Sequence, residues 1–244
     1  MHRAATNRLD AVTIRIGLAD DQTERAAEAL GLSSIRPSRS TLHLIDYRAG
    51  SALSSLASTG VTISLLDSGD MSLLTAQVRH VRQARLHPRW VAFFGRDGET
   101  LRVEEERDGT RQVMTASLTV PGKHLARPLT GADLRLTDLL TPTQWSFLQD
   151  CAPGWPRSGP LSPFGPILVL SWTVRLDGVD ATVSLWRLPA TGGTEPALDL
   201  MEVSRRSLPA EAGFLYPALA ASMRRRGLDP DGGFPWLETR AARW

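Results

Sequence analysis

The stretch VLSWTVRLDGVDATVSLWRL, Val169–Leu188, decides the fold. On either side of Asp177-Gly178 the residues alternate. Ser171 and Thr173 share one face with Thr182 and Ser184, and the larger apolar residues take the other. Period two flanking an Asp-Gly turn is a strong local signal for a β-hairpin. The pattern recurs in Thr100–Glu106, Arg107-Asp108-Gly109 and Arg111–Val120, which ends at Pro121-Gly122. It recurs again in Val61–Leu66, the turn Asp67-Ser68-Gly69-Asp70, and Met71–Arg79. Ala11–Leu18 sets Val12, Ile14, Ile16 and Leu18 against Thr13, Arg15 and Gly17, a half-buried strand. Thr41–Ile45, Trp90–Phe94 and Ala197–Ser204 read as further strands. About nine strands joined mostly by hairpins predict an α+β, mainly antiparallel protein. A closed or nearly closed β-barrel with a few flanking helices is expected, because closure removes free edges.

Helices are expected in four places. Asp21 with Glu24 resembles a capping box opening a helix to Leu30, stopped by Gly31. Thr130 is read as a cap for GADLRLTDLL, and Pro142 as the start of TPTQWSFLQD. Pro209 begins a helical pattern that ends in Arg224-Arg225-Arg226-Gly227. Pro153–Pro166 is rich in Pro, Gly and Ser and reads as a surface connection. One domain over residues 1–244 is expected, with a helical and Pro/Gly-rich insertion at about 125–166.

A chain of 244 residues can bury roughly 70–75% of its unfolded surface. Lys+Arg is 28 and Asp+Glu is 26, so no global field argues for nucleic acid as a partner. Lys123 is the one lysine; every other Lys/Arg position is arginine. A single cysteine, Cys151, excludes an internal disulfide and a thiolate metal cluster, and no base adjoins it in sequence. The apolar run Ile167–Leu170 is too short to span a bilayer, so no membrane partner is expected and the cytoplasm is the expected location.

No phosphate-loop, dinucleotide, zincin or nucleophile-elbow motif occurs. The five histidines are scattered without metal-ligand spacing. Glu104-Glu105-Glu106, flanked by Arg102 and Arg107, reads as a solvated edge charge run. Arg79, Arg82, Arg85 and Arg89 form a basic cluster on a solvent-facing segment that could touch a phosphate. Small neutral polar residues recur on one strand face: Thr13, Thr62/Ser64, Thr115/Ser117/Thr119, Ser171/Thr173 and Thr182/Ser184. Facing a barrel lumen, they would make it polar but nearly uncharged; on an open sheet they would face solvent.

The order of these elements resembles the CYTH or triphosphate tunnel metalloenzyme superfamily. The similar parts are Ala11–Leu18, the helix after it, LHLIDYRAGSAL around Asp46, Gly60-VTISLLDSGD, the Val169–Leu188 hairpin, ALDLMEVS and the last helix. The resemblance implies a tunnel barrel whose glutamates hold a divalent metal for triphosphate hydrolysis or cyclisation. The family's opening E-x-E-x-K falls on Ala11, Thr13 and Arg15, so both carboxylates are replaced and the cation is kept. Its paired arginines fall on Thr62 and Ser64, and a further acidic position falls near Thr182 or Ser184. The late acidic strand keeps Asp199 and Glu202, which a strand points to opposite faces. Hydroxyls are weak ligands for magnesium or manganese. The candidate ligand-binding residues are therefore Thr13, Arg15, Thr62, Ser64, Arg175, Thr182, Ser184 and Glu202, with no catalytic set and no cofactor assigned.

Three functions stay open. The chain is a tunnel-fold binding or assembly module without metal-dependent catalysis, for a phosphate-bearing small molecule or a protein partner. Alternatively it is a phosphohydrolase with relocated acids among Glu104, Glu106, Asp199 and Glu202, using magnesium or manganese. The third is an unrelated all-β interaction protein with an open sheet.

Overall fold

In a computed structural model, the described residues are 8–18, 20–47, 56–79, 81, 86–93, 95–96, 98–108, 111–122, 135–155, 158–159, 161–189 and 198–230. Nine described strands close into a barrel: β1 (Ala11–Leu18), β2 (Ser38–Tyr47), β3 (Val61–Asp67), β4 (Ser72–Arg79), β5 (Thr100–Asp108), β6 (Arg111–Pro121), β7 (Leu161–Leu176), β8 (Val179–Leu188) and β9 (Leu198–Ser207). Around the barrel the order is β1-β5-β6-β4-β3-β2-β7-β8-β9, and β9 returns to β1. Only β1 with β5 is parallel among the described pairs. Closure removes the open-sheet alternative.

Apolar side chains cover two outward faces. Val12, Ile14 and Ile16 of β1, with Val183 and Val203, pack under α1 (Thr23–Ala29) and α5 (Ala212–Arg225) through Ala26, Leu219 and Met223. Ile63, Leu74, Ala76 and Leu118 pack beside α2 (Pro88–Val91), α3 (Leu136–Leu139) and α4 (Pro142–Cys151), against Trp90, Leu139, Phe147 and Leu148. Each fully buried Leu, Ile or Phe contributes roughly 1.5–3 kcal/mol.

Helix α4 is fixed at its start. Thr141 Oγ1 accepts from Gln144 N, and Gln144 Oε1 accepts from Thr141 N, a capping box with Pro142 in the first turn. Gln144, fully buried, also donates through Nε2 to the carbonyls of Leu74 and Leu118 at 3.0 and 3.1 Å. One side chain therefore starts the helix and bolts it to β4 and β6.

Two expectations change. The strand expected over Trp90–Phe94 is absent over the described residues 90–93: Pro88–Val91 is a helical turn capped by the His87 side chain, and buried Trp90 packs edge-on to Phe147. The stretch from Leu161 to Pro166 is not a connection but the start of β7. There β7 pairs with β2, and its pairing with β8 begins only at Leu168, so the prolines disturb one ladder. The expected cap at Thr130 lies outside the described residues, as do Arg82 and Arg85.

Candidate functional site

Strand register sorts the inward faces. On β1, Thr13 and Arg15 stand opposite Glu106 and Asp108 of β5, and opposite Arg206 and Ser204 of β9. Gly17 opposes Glu202, and Glu202 opposes Ser184 of β8. Thr182 opposes Ser204 and Thr173, and Arg175 opposes Asp180. Thr62 and Ser64 of β3 face the same way beside Gln77 and Thr75 of β4. All eight residues singled out in the sequence thus share the inward face, although Arg175 and Thr182 are exposed.

The lumen is not the nearly uncharged one expected. Glu104, Glu106 and Asp108 also point inward, so the Glu104–Glu106 run is not a solvated edge: closure inserts β5 between β1 and β6. Glu106 and Glu202 are each only 4% exposed. Arg15 joins them, with Nη2 3.2 Å from Glu106 Oε1 and Nη1 3.0 Å from Glu202 Oε2. Arg79 Nη2 reaches Glu106 Oε2 at 3.4 Å, so this arginine faces the lumen and not solvent. Arg206 Nε donates to Glu104 Oε1 at 2.8 Å, and Thr13 Oγ1 donates to Glu104 Oε2 at 3.3 Å. Burial pushes the Asp108 carboxyl up, and the nearby Glu202 adds to it, against the pull of Arg111 and Arg15. The expected split of the last strand holds: Asp199 faces outward and pairs with Arg187.

The other side of the lumen is apolar. Leu42, Leu44, Ile167, Val169, Leu188 and Leu200 form a separate cluster on the inward faces of β2, β7, β8 and β9. Outside the lumen, Arg89 pairs with Asp150 and lies 4.8 Å over the Trp90 ring. Burial pushes the Cys151 thiol up to about 12, so it is no activated nucleophile.

The tunnel resemblance implies a divalent metal, and these donors do not fit one. The two most buried carboxylates converge on the Arg15 guanidinium, which takes the position a cation would need between them. Among the described residues no three carboxylate, histidine or cysteine side chains are grouped to hold a metal ion. Among them too, no helix is long and apolar enough to cross a membrane.

No protein-family model matches the chain, and no curated protein matches it. Solved structures do. A protein from Hippeastrum, proposed as an adenylyl cyclase and described as having a dominant triphosphatase activity, is 14% identical, with a TM-score of 0.51 over 94% of this chain and 95% of that one. A protein from Bacillus halodurans, proposed as an adenylate cyclase, is 8% identical, with a TM-score of 0.55 over 96% of this chain and 98% of that one. At these identities the likeness is one of fold. The chain has the closed tunnel-type barrel that the order of its strands implied.

Proposed function

We propose that this chain is a metal-independent binding module built on the tunnel fold, with a small polar molecule as its ligand. The observation that supports this reading is Arg15 seated between Glu106 and Glu202. A fixed guanidinium neutralises the carboxylates that a divalent ion would need as ligands. Thr62 and Ser64 supply no cations for a departing phosphate. The test is calorimetric titration with tripolyphosphate and with ATP, each with and without magnesium. The expected result is no magnesium-dependent binding and no phosphate release. Tight magnesium-dependent binding refutes the reading.

A second reading, a phosphohydrolase with relocated acids, draws on the four inward carboxylates Glu104, Glu106, Asp108 and Glu202. It requires Arg15 to give up both partners before a metal could bind. Phosphate release abolished by Glu202→Gln would select it over the first.

A further inference from the structure

This inference rests on the metal-independent reading and names the ligand class of the same lumen. Register on β3, β4 and β6 sets Thr62, Gln77 and Ser117 in one row, and Ser64, Thr75 and Thr119 in the next. All six are half-buried on the inward face. The Thr75 and Thr119 hydroxyls bond to each other at 2.9 Å. The side-chain polar groups of the other four bond to no described residue, which leaves three hydroxyls and an amide to meet a ligand. Strands about 4.8 Å apart, with same-face residues about 6.8 Å apart, make this grid about 10 by 7 Å. That matches one hexose-sized molecule.

The charges beside the grid set a limit on the ligand. Arg15, Arg79 and Arg206 are paired with Glu106, Glu202 and Glu104. Arg111 and Arg175 stand opposite Asp108 and Asp180. Arg102 differs: it continues the first row, opposite Ser117, and it is exposed. A polyanion would have to pull guanidinium groups away from nearly buried carboxylates. A single anionic head can engage Arg102 alone, in the bidentate manner arginine offers. We propose that the lumen binds a polyhydroxylated small molecule carrying one anionic head, a carboxylate or a phosphomonoester.

The experiment is metal-free calorimetric titration with glucuronate, glucose 6-phosphate, glucose and tripolyphosphate as probes. At least one headed sugar is expected to saturate the protein, with glucose at least tenfold weaker; the better probe identifies the head. Arg102→Gln should erase the difference between headed sugar and glucose. Gln77→Leu, and separately the pair Thr62→Val with Ser117→Ala, should weaken every sugar tenfold or more, with unchanged thermal unfolding as the control for folding. Three results overturn the inference: neither headed sugar saturates, tripolyphosphate binds more tightly than both, or the variants leave sugar affinity unchanged. Tripolyphosphate binding more tightly than both without metal removes only this ligand class, whereas binding that appears only when magnesium is added removes the metal-independent reading itself.

Discussion

Arg15 donates through Nη1 to both carboxylate oxygens of Glu202, at 3.2 and 3.0 Å, tying β1 to β9 where the barrel closes. Removing one partner of a buried pair leaves the other charge desolvated, which costs more than the pair contributes. Arg15→Ala is expected to lower stability by about 3 kcal/mol at neutral pH, read as the urea midpoint. Replacing Arg15 and Glu202 together by leucine should recover at least half of that loss, while Arg79 still serves Glu106. A double variant as unstable as Arg15→Ala would mean that packing, not charge, sets the cost.

Gln144 carries a second testable load. Its side chain satisfies two strand carbonyls and the Thr141 amide at a fully buried position. Gln144→Leu keeps the volume and strands those groups, a loss of about 2 kcal/mol. In a protein of this length that is a fall in melting temperature of about 4–8 °C. No change in melting would show that water replaces the amide there.

Asp108 gives the lumen a pH signature. Its carboxyl is raised by burial and by Glu202, so the folded state holds that proton more tightly than the unfolded chain does. Its contribution is most favourable below the ordinary carboxylate range and is lost as pH rises through the raised value. Asp108→Asn should therefore melt higher than the parent at pH 7 and equally near pH 3. A variant that melts lower at pH 7 would show that attraction to Arg15 and Arg111 outweighs burial.

Local pattern carried most of the fold. The β3–β4, β5–β6 and β7–β8 hairpins and the helix after Thr141 are legible because each is set by residues within a few positions of one another. The face of β5 was not. Glu104, Glu105 and Glu106 look like a solvated run until β1 pairs beside them, some 90 residues away in the chain. Arg79 was misplaced for the same reason, since its partner Glu106 belongs to another hairpin. Trp90–Phe94 misled differently: an apolar aromatic run reads as strand, although His87-Pro88 was a visible helix-start signal. For the lumen, the shared face of Thr13 and Arg15 and the split of Asp199 from Glu202 are readable from alternation, but which face turns inward, and the ion-pair partners, require closure.

The parallel seam between β1 and β5, with β9 on the other flank of β1, has a consequence for biosynthesis. The first of the described strands to leave the ribosome needs the last of them to complete its ladder. Arg15 waits through nearly two hundred residues of translation before Glu202 exists. A nascent chain halted before Ser207 therefore holds an unsealed cylinder, and any ligand that depends on the finished interior must arrive after β9 has been made.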